Sequence, residues 1–218
     1  MRWIQSSLVV LLLSSCGGAS HPSQMSATHH EEAAQRDDAA ADAAQATCGS
    51  GDPQLDRPCW SRASEHAGEH RRMAEEHRAA ARALLDAEAR ACAGIDEADR
   101  DTSPFDHRDD IASVARLSET VTVGHGTSEH LVGATVVFRA VRGMTAEWLQ
   151  REIDCHLARN DAVGHDMPEM PSCPLVPAQS AHARSTGDGF AVDIRGSDDA
   201  AAQEILRRAE SLVAPSGT

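Results

Sequence analysis

Three histidines and one methionine recur along one side of a predicted long helix. His66, His70, Met73 and His77 follow one another at intervals of four, three and four residues. At 100° per residue, all four therefore fall within about 60° of one another. Residues i and i+4 of a helix have Cβ atoms about 5–6 Å apart, a separation that one Zn, Cu or Ni ion can bridge. The spacing indicates a transition-metal site that another element of the fold would complete.

The same four residues allow a second interpretation, because they lie within the apolar side of the helix. Alanine and leucine side chains surround them, whereas arginines and acidic residues occupy the other side. Histidines in such a position can serve as neutral, hydrogen-bonded residues of a packing interface, and they can act as a pH switch if they gain charge below about pH 6.5. We favour the structural or interaction role and keep the metal site as the alternative.

A second group of soft ligands lies in residues 165–178, HDMPEMPSCPLVPA, where a proline occupies every third position. This spacing favours polyproline II geometry, so Met167, Met170 and Cys173 would share one edge about 9 Å apart. Sulfur ligands about 2.3 Å from one metal ion must lie much closer together. The segment is therefore predicted to be an apolar strap, although His165, Met167 or Met170 could supplement a metal site on the helix.

The N-terminal residues indicate export. Residues 8–13 form an apolar run that is too short to span a bilayer, and the sequence LSSC follows at residues 13–16. This arrangement resembles the lipobox of bacterial lipoproteins. The resemblance implies that residues 1–15 are a cleaved signal peptide and that Cys16 is diacylated and anchored in the membrane. Gly17 takes the position where an aspartate would imply inner-membrane retention, so an outer-membrane location, facing the periplasm or the cell surface, is expected.

The composition excludes several functions. The chain has 34 acidic and 20 basic residues and a net charge of -14, which argues against nucleic-acid binding. No nucleophile elbow, zinc-protease motif, phosphate-binding glycine loop or Cys-x-x-Cys motif is present.

Residues 16–57 contain almost no large apolar side chains and are predicted to form a disordered tether. A non-catalytic envelope lipoprotein with a small binding or structural domain is therefore the leading prediction, and a periplasmic Cu, Zn or Ni binder is the alternative.

Five cysteines remain if Cys16 is lipidated, and an exported protein meets an oxidising compartment. Cys48 and Cys59 bracket a turn-rich segment, so they are candidates for one disulfide. Cys155 and Cys173 flank the end of a helix and the proline-rich strap, so they are candidates for a second. The sequence establishes neither pairing and leaves one thiol unpaired in any assignment.

The remaining elements follow from hydrophobic periodicity. Residues 58–94 are predicted to form a long helix, which has few bulky apolar residues and therefore needs a partner protein or self-association for stability. Residues 95–118 are predicted to be a connector with a short helix near residues 109–115. Residues 119–214 are predicted to form an α+β domain of order ββαββα, a ferredoxin-like sandwich with two helices on one face of an antiparallel sheet.

Two further resemblances concern this domain. The segment around Gly143-Met144-Thr145, which leads into a helix, resembles the opening of heavy-metal-associated domains. That resemblance implies the fold but no copper loop, because Ala146 and Leu149 occupy the positions of the metal-binding cysteines. The phrases GMTAEWLQ, DCHLARN and EARACAGI resemble uncharacterised bacterial envelope proteins across most of residues 65–213, which implies a defined domain without a known activity.

Overall fold

The computed structural model describes residues 25–48, 56–123, 126–164 and 170–213. The predicted signal peptide, the lipidation site Cys16, and the strap residues His165 and Met167 lie outside these ranges. Among the described helices, none combines the length and the apolar character needed to cross a lipid bilayer.

The described part of the chain has five α-helices and four β-strands, which confirms the α+β class. The elements in chain order are α1 (Ala27–Ala46), α2 (Arg57–Ala91), α3 (Glu97–Asp101), β1 (Ile111–Val123), β2 (Gly126–Arg139), α4 (Ala146–Val163), β3 (Ser180–Thr186), β4 (Gly189–Arg195) and α5 (Asp199–Val213). A turn of 3-10 helix, Arg108–Asp110, precedes β1. The long helix predicted for residues 58–94 is therefore confirmed as α2.

Helices α1 and α2 pack together as a hairpin. Ser26 begins α1 by accepting a hydrogen bond at Oγ from the His29 backbone N–H (3.2 Å), and Asp56 begins α2 by accepting one from the Cys59 N–H. The buried side chains of both helices are mostly alanines, and several recur every seven residues: Ala27, Ala34 and Ala41 in α1, and Ala67, Ala74 and Ala81 in α2. These small side chains allow close approach of the two helices.

The prediction of a disordered tether over residues 16–57 is wrong for residues 27–46. The prediction treated the scarcity of large apolar side chains as a sign that the segment buries little surface. Alanine nevertheless has the highest helix propensity, and a helix with an alanine at every seventh position can be buried against a second alanine-rich helix. The long helix thus has a partner helix within its own chain.

One of the two predicted disulfides forms, and the other does not. The Cys48–Cys59 disulfide is confirmed and joins the end of α1 to the start of α2. The suggested Cys155–Cys173 pair is wrong, because Cys155 of α4 is bonded to Cys92 at the end of α2. Packing of α2 against α4 brings these two residues together. Cys173 is a buried free thiol, and burial raises its pKa above the ordinary value.

The connector is shorter than predicted. Strand β1 begins at Ile111 rather than at residue 119, and the short helix expected near residues 109–115 is replaced by the 3-10 turn and the first residues of β1. The cause is pairing with β2, in which Ile111 lies opposite Phe138 and Val114 opposite Val136. A distant strand therefore determines the conformation of a segment whose local sequence is ambiguous.

The four strands form one sheet in the order β1-β2-β4-β3, and every neighbouring pair is antiparallel. Alternate residues of the two central strands face a single apolar core. Helices α4 and α5 contribute to that same core. Its members include Val136 and Phe138 of β2, Val192 and Ile194 of β4, Leu149 and Ile153 of α4, and Ile205 and Leu212 of α5. Helices α4 and α5 therefore share one core with the two central strands.

The described part of the proline-rich strap, residues 170–178, also packs against this core. Cys173, Leu175 and Val176 are buried, and Met170 is half-buried beside them, so the apolar role predicted for the strap is confirmed there. The predicted polyproline II geometry is wrong for these residues. Backbone hydrogen bonds such as Cys173 N–H to Met170 O (3.1 Å) form successive turns. The turns allow neighbouring residues, and not only every third one, to face inward.

Candidate functional site

The histidines of α2 lie against α1. His70 Nδ1 lies 3.0 Å from Asp37 Oδ1, and Asp37 Oδ2 lies 3.9 Å from His77 Nε2. The other ring nitrogen of His77, Nδ1, is 2.9 Å from Nδ1 of His30. His66 is exposed, and its ring meets that of His70 edge-on with 5.0 Å between centroids. The result is a polar seam, formed by His30, Asp37, His70 and His77, between two alanine-rich surfaces.

The structure places the four predicted metal ligands along one side of α2, where His66 is exposed and His70, Met73 and His77 are half-buried. Among the described residues, no group of three or more His, Cys, Asp or Glu side chains is arranged to hold a metal ion. The prediction placed His66, His70, Met73 and His77 around one ion. In the structure, ring nitrogens of His70 and His77 instead face hydrogen-bonding partners on α1, which are Asp37 and His30 respectively. Helix α1 therefore supplies a hydrogen-bonding partner for His70 and for His77, which favours the structural interpretation of these two histidines.

The stability of the α1–α2 hairpin depends on pH through His30, a residue of this polar seam. This side chain is 6% exposed, and burial followed by the proximity of His77 lowers the pKa of His30 below its ordinary value. The unfolded chain therefore binds more protons than the folded chain below about pH 6.5, so the contribution of His30 to stability falls with acidification. We expect His30→Gln to reduce the acid-induced loss of hydrogen-exchange protection of α1 amides between pH 7.5 and pH 5.5, where protection is the intrinsic exchange rate at each pH divided by the measured rate.

The matched control for this measurement is the neighbouring exposed residue His29. His29→Gln removes the same chemical group from the same helix without touching His77. Exchange rates in this control should follow the wild type at both pH values. Equal behaviour of the two variants would contradict a specific role for His30.

A second feature, a cleft of about 120 Å³, lies beside α4. Its walls come from α3, from the turns before β1, from the loop after β2 and from the first two turns of α4. The lining residues are Asp99, Thr102, Ser103, Pro104, His107, Asp110, Val141, Met144, Trp148, Leu149 and Glu152. Helix α4 presents three of these residues in its first two turns, and Thr145 caps its start by accepting a hydrogen bond at Oγ1 from the Trp148 backbone N–H (3.1 Å).

Glu152 is the unusual residue of the cleft. Its side chain is 5% exposed, and its Oε1 atom has no hydrogen-bond partner. Burial, followed by the negative charge of Asp99, raises the pKa of Glu152 to about 7. A buried carboxyl group that titrates near neutrality and lines a cleft is typical of functional sites. The cleft is therefore the strongest candidate site in the described part of the chain.

The sequence interpretation did not identify this cleft. A signal was present, since Glu152 lies between Leu149 and Ile153 on the apolar side of α4, where an acidic residue is costly to bury. Its neighbours in the cleft could not be deduced, because Asp99 and His107 come from a segment that was predicted only as a connector. Comparison with known proteins adds no assignment: no family model, curated protein or solved structure matches this chain.

Proposed function

We propose that this chain is a non-catalytic, lipid-anchored envelope protein whose α+β domain binds a small ligand in the cleft beside α4. The observation that carries the proposal is Glu152, a buried carboxyl group with an unpartnered oxygen atom that lines the cleft. An unpartnered buried acceptor costs about 1–3 kcal/mol, which a ligand that donates a hydrogen bond would offset.

The hydrogen bonds of Ser103, whose buried hydroxyl group lies in the cleft wall, favour ligand binding over catalysis. Ser103 Oγ lies 3.2 Å from Cys173 Sγ, to which it donates a hydrogen bond, and it accepts one from the Phe105 backbone N–H at 3.2 Å. Both partners hold this hydroxyl group in a structural role. It is therefore not available for activation as a nucleophile, which would require a base as its hydrogen-bond partner.

Export is supported by the two disulfides, Cys48–Cys59 and Cys92–Cys155, since such bonds persist in oxidising compartments. The lipobox-like residues 13–16 support attachment through Cys16, and Gly17 supports the outer membrane as the location. The lipid anchor is thus the proposed contact with the membrane, and the acidic domain is the part that meets the ligand. The net charge of -14 supports a partner other than nucleic acid.

For the α+β domain we propose the finer description of a ferredoxin-like sandwich. The order of elements from β1 onward is ββαββα, which is the βαββαβ order with its last strand moved to the front. The sheet order β1-β2-β4-β3 and the shared core of α4 and α5 support this arrangement. A crystal structure with α4 and α5 on opposite faces of the sheet would contradict it.

The anchor is tested by the Cys16→Ser variant of the full-length protein. We expect the wild type to fractionate with outer membranes and the variant to be released completely, because no acyl chain can be attached to serine in this way. Mass spectrometry of the mature wild type should show acyl chains on residue 16. The Cys48→Ser/Cys59→Ser double variant is the control, since it loses thiols but keeps residue 16. Membrane retention of Cys16→Ser would overturn the anchor.

A further inference from the structure

We propose that the cleft lined by Asp99, Trp148 and Glu152 binds the primary ammonium group of a small organic cation. The inference rests on the proposed function of the domain as a ligand-binding module and adds the chemical class of the ligand. It follows from the hydrogen-bonding state, the charge, the size and the apolar wall of the cleft.

The polar wall of the cleft favours a cationic hydrogen-bond donor. Asp99, Asp110 and Glu152 all line the cleft, whereas His107 is the one lining residue that can carry a positive charge. An anionic ligand would therefore meet three acidic groups. The Oε1 atom of Glu152 is buried without a partner, and a ligand N–H group would supply the missing hydrogen bond after a rotamer change that turns this oxygen atom toward the cleft. An ionised donor makes a stronger hydrogen bond than a neutral one.

The apolar wall favours an organic ligand over a hydrated inorganic ion. Val141, Met144, Trp148 and Leu149 also line the cleft, and a short alkyl group bound there would contact the accessible parts of Val141, Met144 and Trp148. Trp148 is 40% exposed, so its ring is available for a cation–π contact, which is worth about 0.5–2 kcal/mol. Across the described residues, no group of three or more acidic, histidine or cysteine side chains could hold a metal ion.

The size of the cleft limits the ligand. Its volume of about 120 Å³ is slightly smaller than an apolar cavity of about 150 Å³ that holds one benzene molecule. An ammonium group with a short alkyl chain fits this volume, whereas a folded peptide or a nucleotide does not. The cleft therefore recognises a small amine or the terminal amino group of a longer molecule.

Binding of a cation is coupled to a proton. The pKa of Glu152 is raised to about 7 in the free protein, and an ammonium ion favours the ionised carboxylate. The other titratable groups that face the cleft are Asp99 from α3 and His107 and Asp110 from the turns before β1. In addition, His156 lies one helical turn after Glu152 on α4 and contacts the Asp99 backbone. From the ionised fraction of Glu152, affinity should rise about tenfold from pH 6 to pH 8.

The test is a titration of the mature full-length protein in detergent, followed by the indole N–H signal of Trp148 in two-dimensional NMR. The probes are n-butylammonium, 1-butanol and butyrate, which share a four-carbon chain and differ in charge. We expect n-butylammonium to shift the Trp148 signal saturably at pH 8 and the other two probes to bind at least tenfold more weakly. The indole signal of Trp60 on α2 lies outside the cleft and serves as an internal reference.

Two variants separate a specific carboxylate from general electrostatic attraction. Glu152→Gln preserves the shape of the side chain and should weaken n-butylammonium binding at least tenfold. It should also remove most of the pH dependence of n-butylammonium binding. Glu147→Gln removes an equal charge from an exposed position on the same helix and should bind as the wild type does.

The outcomes distinguish this inference from the proposed function. Saturable binding of 1-butanol or butyrate with affinity equal to or above that of n-butylammonium would overturn the ammonium proposal and leave a ligand-binding cleft. Wild-type affinity in Glu152→Gln would overturn the role of that residue in recognition and with it the proposal. If none of the three probes shifts the Trp148 signal, both the ammonium proposal and the binding function of the cleft are wrong.

Discussion

Removal of the Cys92–Cys155 disulfide is expected to lower the free energy of unfolding by about 4 kcal/mol. The bond joins residues that are 63 positions apart, and the loss of unfolded-chain entropy on closing a loop of that length accounts for about this value. It also fixes the end of α2 to α4, where Cys92, Ile95 and Cys155 form a small apolar cluster. This disulfide therefore connects the helical hairpin to the α+β domain.

The measurement is urea denaturation of the Cys92→Ala/Cys155→Ala variant, followed by circular dichroism. The control is Cys48→Ala/Cys59→Ala, whose cysteines are 11 positions apart and whose removal should cost about 3 kcal/mol by the same relation. Reduction of the Cys48→Ala/Cys59→Ala variant breaks only Cys92–Cys155 and keeps the volume of both sulfur atoms. If this reduction changed stability by less than about 1 kcal/mol, the cross-link would not carry the stability assigned to it.

Glu152→Gln is expected to stabilise the protein at pH 8 by about 2–3 kcal/mol and to have much less effect at pH 5. The carboxyl group has its pKa raised from 4.5 to about 7 in the folded protein. The folded chain therefore binds more protons than the unfolded chain between these values, so stability falls as pH rises through this window. Glutamine is neutral at every pH and avoids the cost of burying an ionised carboxylate.

Thermal denaturation at pH 5, 6, 7 and 8 measures this effect. By the usual relation between free energy and melting temperature, the variant should melt roughly 4–12 °C above the wild type at pH 8. Glu147→Gln is again the matched control, because Glu147 is exposed on the same helix. A pH-independent difference between Glu152→Gln and wild type would mean that Glu152 is ionised throughout this range. A gain in stability with a loss of ligand binding would be typical of a residue retained for function.

Local sequence patterns predicted the elements whose conformation depends on one apolar face. Helix α5 and strand β4 are examples, since Ile205 and Leu206 of α5 and Val192 and Ile194 of β4, whose spacing fits a helix and a strand with one apolar face, are buried. Helix α1 was missed because its buried residues are mostly alanines, which do not form a conspicuous apolar stripe. The start of β1 was missed because its conformation depends on β2, which follows it in the chain.

The candidate sites also depend on contacts between distant segments that the sequence alone does not predict. The sequence placed the histidines of α2 on the apolar side of the helix, and His70 and His77 do lie half-buried against α1. It could not show that Asp37 and His30 would meet them, since α1 was predicted to be disordered. The cleft depends on Asp99 and Glu152, which are distant in the chain and come together only through packing of the segment around α3 against α4.

The two cross-links also determine how the chain transmits mechanical tension. A pull applied between the two ends of the polypeptide passes from Cys48 to Cys59 and from Cys92 to Cys155 through sulfur–sulfur bonds. Residues 93–154, which include strands β1 and β2, therefore carry none of the applied force while the Cys92–Cys155 bond is intact. Stretching the oxidised chain should release roughly 210 Å less contour length across Cys92–Cys155 than stretching the reduced chain, at about 3.4 Å per residue.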